Sequence, residues 1–468
     1  MLSKNKVMLY YSLTLILIYL AHPWDLDGDG AWNILKEPAD CNDLEPLIHP
    51  FRNESMYNRI DDDCNPLTYD DYAEEGGVVT RQDPSDNATG GPNLLLITID
   101  ALRPDHMGTY GYGRDTTPNI DALAAESTIF TNAYTHVPWT QPSVASILTG
   151  MHPLDLAIPD WGYRLSEKHT TLTEMLDYRG YHTEAFLGHM AFQPKYGFSQ
   201  GFDHYDYSVL KQGHPDHITT SANLTDKVLA RIPVMRQPFF IWIHYFDPHY
   251  IYKPHEGFNY GDTFLDLYDG EIAYTDQHVG RLINGLREAG VYDTTIIVLT
   301  ADHGEQLGEH NVTGHSTVLY QESARIPLMI KAPGVGHRIV DTVIAESDIT
   351  PTLLYLMNMP QPEGMHGRVI GPAGDRTVFL MTRQQADMDG VIHEGYKLVT
   401  DHDTNSTELY DILEDPSEQH NLAGKMPGKT AELRQMLIEF YPADTPEPEP
   451  VELGPDTVKK LRDMGYAA

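Results

Sequence analysis

Three nearly unbroken apolar runs each end on an acid or a histidine. Residues 94–99 lead into Asp100, residues 239–243 into His244, and residues 295–300 into Asp302 and His303. A strand covered on both faces reads as such a run, as at the centre of a parallel sheet. Apolar strands interleaved with helical stretches imply an α/β fold with a doubly wound, mostly parallel central sheet. In open sheets of this kind the ligand crevice lies just past the C-terminal ends of the strands. The chain's 468 residues, 41% of them hydrophobic, supply enough apolar material for a large core. Between the first two strands, residues 118–130 read as a helix with Ile120, Leu123, Ala124 and Ser127 on one side.

Charge limits the partners. There are 68 Asp+Glu against 32 Lys+Arg, a formal net charge of -36. Phosphate backbones are bound through Lys and Arg, so nucleic acid is not expected as a partner. Anionic substrates are repelled at long range. An anion site here must be locally positive, through metal ions, helix N-termini or clustered histidines.

The N-terminal part divides into three. Residues 1–21 read as a signal peptide or membrane anchor, with Lys4 and Lys6 before an uncharged apolar run ended by His22-Pro23. The run is shorter than the roughly 20 residues of a spanning helix. The chain is therefore expected to be exported, whether periplasmic, cell-surface or secreted. Residues 22–69 form an acidic module. Asp25, Asp27 and Asp29 alternate with other residues, and Gly28 and Gly30 permit a tight turn. Such oxygen donors suit Ca²⁺. Lys36 stands where an EF-hand would need its twelfth-position Glu, so the loop is not an EF-hand. The only two cysteines, Cys41 and Cys64, lie here and are expected to form a disulfide in an exported chain. The module resembles the short cysteine-bracketed D-x-D-G-D-G repeats of bacterial surface proteins; a solvated acidic linker is the alternative. Residues 70–92, rich in acids, Gly and Pro, read as a linker. A catalytic domain follows over 93–440, with a C-terminal subdomain from about 370, and residues 441–468 form a tail.

The chemistry gathers in a few stretches. Asp100, Asp302 and His303 are metal-type donors, and Gly304-Glu305 follow them. Thr140 reads as a helix N-cap, with Pro142 in the first turn. A helix start also presents free N–H groups to an anion. Histidines stand at 189, 244, 249 and 315, the second and third flanking Asp247.

These stretches resemble the sulfatase family of the alkaline phosphatase superfamily, over about residues 93–422. The resemblance rests on residues 99–106 (IDALRPDH), on Thr140-Gln141-Pro142-Ser143 with Leu148-Thr149-Gly150, and on Asp302-His303-Gly304-Glu305. Asp348-Ile349-Thr350-Pro351-Thr352 and Glu408-Leu409-Tyr410-Asp411 also look like family segments, and residues 396–422 like its small antiparallel subdomain. The departures are specific. Thr140 stands where the family has a Cys or Ser that is oxidised to formylglycine, and Val144 where it has Arg. Ala101 replaces a second Asp, and Gly188-His189-Met190-Ala191 a lysine-x-histidine element. A threonine is a secondary alcohol and gives no aldehyde. In related phosphodiesterases and phosphotransferases of the superfamily a threonine is the nucleophile.

The resemblance implies one metal site made by Asp100, Thr140, Asp302 and His303, holding Mn²⁺, Zn²⁺ or Ca²⁺. Thr140 would attack the ester. His249, His315 and His244 would stabilise its oxygens or protonate the leaving group, and His189 would bind substrate. Asp247 with His249 is an alternative seat for a second metal. The expected function is an exported, metal-dependent hydrolase of phosphate mono- or diesters, phosphonates or sulfate esters, borne by a small molecule, a glycan or a lipid head group. A phosphotransferase and a non-catalytic binding protein are the alternatives.

Overall fold

The computed structural model describes residues 32–33, 39–40, 72–75, 78–81, 90–159, 161–211, 219–362, 364–371, 376–441, 447–454 and 458–459. Asp25, Asp27, Asp29, Cys41, Cys64 and the segment 1–21 lie outside them. Among the described residues no helix is long and apolar enough to cross a membrane. The chain divides into two units, residues 1–74 with 80–85, and 75–79 with 86–468. In the first, Trp32–Asn33 pairs in parallel with Ala39–Asp40.

The second unit is built on a large mixed sheet. Its strands within residues 86–468 are β1 (Asn93–Ile99), β2 (Thr128–Tyr134), β3 (His182–Leu187), β4 (His204–Asp206), β5 (Phe239–Tyr245), β6 (Thr295–Ala301), β7 (Arg325–Lys331) and β8 (Arg338–Ala345). They lie in the order β8-β2-β7-β6-β1-β5-β3-β4. The block from β6 to β4 is parallel. β7 runs antiparallel to both β6 and β2, and β8 parallel to β2. The sheet is therefore mostly parallel at its centre, where β1, β5 and β6 are buried along their whole length. That burial is why their sequences are apolar without alternation.

One helix is shorter than the sequence pattern predicts. Helix α1 covers Pro118–Ala124 and ends well before residue 130. Thr128, Ile129 and Phe130 belong instead to β2, paired with β7. β-branched and aromatic residues suit a pleated, half-buried surface. Helix α2 (Thr140–Thr149) is buried on all sides, which fits its small and aliphatic residues. Helix α3 covers Ser221–Arg231. Helix α4 (Phe264–Glu288) packs on α1 and α3 and starts with a capping box of Thr263 and Asp266.

A second, antiparallel sheet follows: β9 (Val378–Thr382), β10 (Met388–His393), β11 (Tyr396–Asp401) and β12 (Ser406–Asp411), in that order. One face packs Val391, Leu398 and Leu409 on Leu433 and Leu437 of helix α5 (Pro427–Phe440). The other packs Leu380, Ile392 and Val399 on Tyr134 and Ala345 of the main sheet. Lys397 of β11 pairs with Glu418 at 2.9 Å, both side chains fully buried. The second Glu418 oxygen accepts the Gln321 N–H at 2.7 Å, tying this sheet to the main body. Breaking a buried pair leaves an uncompensated charge. Lys397→Met is therefore expected to destabilise the protein by about 3–5 kcal/mol in denaturant melts.

Candidate active site

Register brings the polar residues together. Ile99 of β1 pairs with Ala301 of β6, so Asp100 and Asp302 leave the sheet side by side. Thr98 pairs with His244 of β5, which sets that imidazole two residues deeper than Asp100. All three side chains are fully buried, and their donor atoms lie within 4.8 Å of one another. His244 Nε2 is 3.2 Å from Asp100 Oδ2. Its Nδ1 is 2.8 Å from the Thr98 hydroxyl, which also receives the Trp242 indole N–H at 3.0 Å.

His303 closes the group. Its Nε2 is 3.6 Å from both Asp100 Oδ1 and Asp302 Oδ2, and 3.4 Å from Thr140 Oγ1. Its Nδ1–H donates to the Gly304 carbonyl at 2.8 Å, so Nε2 keeps its lone pair towards the acids. Asp302 Oδ1 accepts the N–H groups of Ala101 (3.3 Å) and His303 (2.9 Å). Asp302 Oδ2 and Asp100 Oδ1 are buried and have no hydrogen-bond partner. Burial, then the Asp302 and Glu305 carboxylates, push the Asp100 carboxyl well above the usual range. Two orphaned carboxylate oxygens facing an imidazole lone pair and a hydroxyl are the donor set a divalent cation requires.

The backbone accommodates this locally. Ala101 adopts a left-handed conformation, φ 54°, which turns its N–H to Asp302. At Gly304 a Cβ would fall 1.9 Å from the Glu322 carbonyl oxygen, so only glycine lets the loop close here. Thr140 is the first residue of α2, and Trp139 takes the cap position. The Thr140 hydroxyl makes no capping bond to its own helix, contrary to the pattern of a simple N-cap.

The remaining histidines line one continuous wall. The His303 ring lies 4.3 Å from His315, which lies 5.0 Å from His249, and His249 lies 5.7 Å from His189. Burial holds His315 at about 4, His249 at about 3 and His189 well below the usual imidazole range, so all three are neutral at neutral pH. Their hydrogen bonds set opposite roles. His189 Nδ1 accepts the Ala191 N–H at 3.0 Å, so its proton sits on Nε2, a buried donor without a partner. His249 Nδ1–H donates to the Tyr250 carbonyl at 2.6 Å, which leaves Nε2 an acceptor.

Asp247 is engaged by backbone and is not grouped with His249 among the described donor clusters. Its two carboxylate oxygens accept the backbone N–H groups of Thr220 and Ser221 at 2.6 and 2.5 Å, at the start of α3. Glu305 belongs to the wall, although the sequence pattern marks it only as the residue after Asp-His-Gly. It is fully buried, 3.2 Å from His315 Nδ1, and burial raises its carboxyl to about 7. Arg103, the cation of the first loop, is held by Asp105 (2.7 Å), Glu309 (2.8 Å) and the Glu305 carbonyl (3.0 Å).

Comparison with known proteins gives two family matches. The Sulfatase family profile matches residues 92–359, and that of N-sulphoglucosamine sulphohydrolase, C-terminal, matches residues 308–440. An ulvan-active sulfatase of Formosa agariphila is 27% identical over 422 residues, covering 75% of this chain and 81% of that protein. Human arylsulfatase A is 25% identical over 475 residues, covering 80% and 91%. The solved phosphonate monoester hydrolase of Agrobacterium radiobacter aligns with a TM-score of 0.62 at 20% identity, over 74% of this chain and 95% of that one.

Proposed function

The chain belongs to the sulfatase family, and on that premise we propose that it is an exported, metal-dependent hydrolase of anionic oxyesters with Thr140 as its nucleophile. One observation carries this reading. The Thr140 hydroxyl stands 3.4 Å from His303 Nε2, beside buried oxygens of Asp100 and Asp302 that have no other partner. Asp100, Asp302, His303 and Thr140 would hold the ion, with His244 against Asp100. Mn²⁺, Zn²⁺ and Ca²⁺ all accept such donors. A divalent ion held there would lower the pKa of a nearby hydroxyl and offset the charge of the ester.

The chain's own residues divide the remaining work. Thr140 Oγ1 gives up its proton to solvent and forms the new bond to sulfur or phosphorus, while the bond to the leaving oxygen breaks and that oxygen takes a proton from solvent. His189 Nε2–H donates to an ester oxygen. His249 Nε2 takes the proton of the water that hydrolyses the threonyl ester. His315, positioned by Glu305, lies between His303 and His249.

The substrate's charge follows from what is missing. Val144 is fully buried where the family carries Arg, the wall imidazoles are neutral, and Arg103 is engaged. One divalent ion against two carboxylates favours singly charged esters over dianionic phosphate monoesters. Sulfate monoesters, phosphodiesters and phosphonate monoesters meet that condition. Likeness to the ulvan-active sulfatase supports a glycan as the carrier. The first 21 residues support export, and residues 22–69 support a Ca²⁺-binding module closed by a Cys41–Cys64 disulfide.

The test is a panel of aryl sulfates, phosphodiesters, phosphonates and phosphate monoesters, with Mn²⁺, Zn²⁺ or Ca²⁺ supplied in turn. A singly charged ester is expected to turn over at least about tenfold faster than the phosphate monoester. Preference for the dianion overturns the charge argument. No turnover with any metal overturns the hydrolase reading.

A further inference from the structure

Behind α2 lies a carboxyl group with no role in the chemistry above. Glu346, in the 3-10 turn Glu346–Asp348 that follows β8, is fully buried. Its Oε1 accepts the backbone N–H of His136 at 3.0 Å. Its Oε2 lies 2.7 Å from Ser143 Oγ, and Ser143 Oγ lies 2.6 Å from the main-chain carbonyl oxygen of Asp302. The Ser143 hydroxyl has one proton and faces two oxygens. The Asp302 carbonyl can only accept, so it takes the serine proton. The short contact to Glu346 then needs a proton from the glutamate.

We propose that Glu346 is a protonated, hydrogen-bond-donating acid and the positioning residue that fixes the nucleophile helix to the metal-binding loop. Its Oε2–H donates to Ser143 Oγ, and Ser143 donates to the carbonyl of Asp302. Ser143 sits in the first turn of α2, one turn from Thr140, and Asp302 carries an orphaned ligand oxygen. The strap therefore sets the spacing between the nucleophile and the acids.

The surroundings agree with a neutral acid. The groups that act most strongly on Glu346 are the Thr135 hydroxyl, the His136 N–H, the Ser143 hydroxyl and the Asp302 carboxylate, and the nearby Arg376 is paired with Asp348 at 2.7 Å. Burial is the largest influence on it and holds the carboxyl well above its usual range. The adjacent His136 imidazole is held at about 3 by burial and bonds the Phe379 carbonyl and the Ser347 hydroxyl, so it supplies no positive charge. An ionised Glu346 would be an unpaired buried anion beside a second carboxylate. The inference uses the proposed function only for its catalytic consequence.

The first arm of the test is the infrared spectrum of the full chain against Glu346→Gln. In the wild-type-minus-variant difference spectrum one carbonyl stretch of a buried protonated carboxylic acid is expected, above any bands of Asp100 and Glu305 that both proteins share. Loss of a carboxylate band instead overturns the proposal. The second arm titrates Mn²⁺ alone and follows turnover of an aryl sulfate. Glu346→Ala is expected to lose about 10- to 100-fold in both, as supporting partners of metal sites do. Glu346→Gln, whose amide N–H can also donate to Ser143, is expected to rescue most of that loss. A Gln variant as impaired as the Ala variant, with both folded by thermal melt, overturns the neutral-donor role. An unimpaired Ala variant overturns the positioning role. Absence of any ester turnover would count against the proposed function, while the infrared and Mn²⁺ results would still decide this inference.

Discussion

Thr140→Ala is expected to lower ester turnover by about a thousandfold or more, while Thr140→Ser keeps a measurable part of it. Removing a nucleophile removes the covalent route and leaves only binding and oxyanion stabilisation. The serine variant keeps the oxygen and loses the β-methyl that restrains its rotamer. The change should be nearly silent in stability. The contact of the hydroxyl with His303, at 3.4 Å, is long, and Trp139 rather than Thr140 takes the cap position. Steady-state rates on the best ester of the panel, beside thermal melts of both variants, make the comparison. Wild-type rates in Thr140→Ala would mean that water attacks the ester directly.

Asp100→Asn is expected to cut Mn²⁺ affinity by more than about a hundredfold, yet to raise the melting temperature of the metal-free protein. Replacing a direct ligand should cost more than the 10- to 100-fold typical of its supporting partners. The stability gain has its own origin. Without metal, the buried Asp100 carboxylate is disfavoured first by burial and then by the Asp302 and Glu305 charges. An amide of the same shape removes that conflict. Melts in chelator and in excess Mn²⁺ separate the effects. The variant should melt above the wild type in chelator and gain far less from the metal. A variant that melts below the wild type in chelator would mean that these carboxylates are not in conflict.

Much of this site is legible in the sequence because β1 and β6, apart from Asn93 and buried threonines, are apolar up to Ile99 and Ala301. The first polar residue past residues 94–99 and 295–301 then has to stand at the edge of the sheet. The mostly parallel sheet and the antiparallel C-terminal sheet follow the expected architecture. What a linear reading misses depends on register and on distant backbone. His244 joins the acids because Thr98, not Asp100, is its partner across the sheet. Asp247 receives the N–H groups of Thr220 and Ser221 at the start of α3, a backbone role that its spacing from His249 does not announce. Residues 128–130 continue a helical pattern, but strand β7 offers them a partner that local periodicity cannot register. Glu346 lies more than two hundred positions from Ser143, and nothing in either segment announces the other.

The parallel pairing of β1, β5 and β6 also dictates when the site comes into being. Asp100 and His244 are 144 positions apart, and Ala101 and Asp302 are 201 apart. Parallel contacts of such separation close late, after the entropy of long loops has been overcome. No early hairpin or helix of this chain carries the complete donor set. Cation capture by the proposed donor set would therefore be tied to the final long-range closure of the sheet, because a chain still growing on the ribosome short of β6 lacks Asp302 and His303.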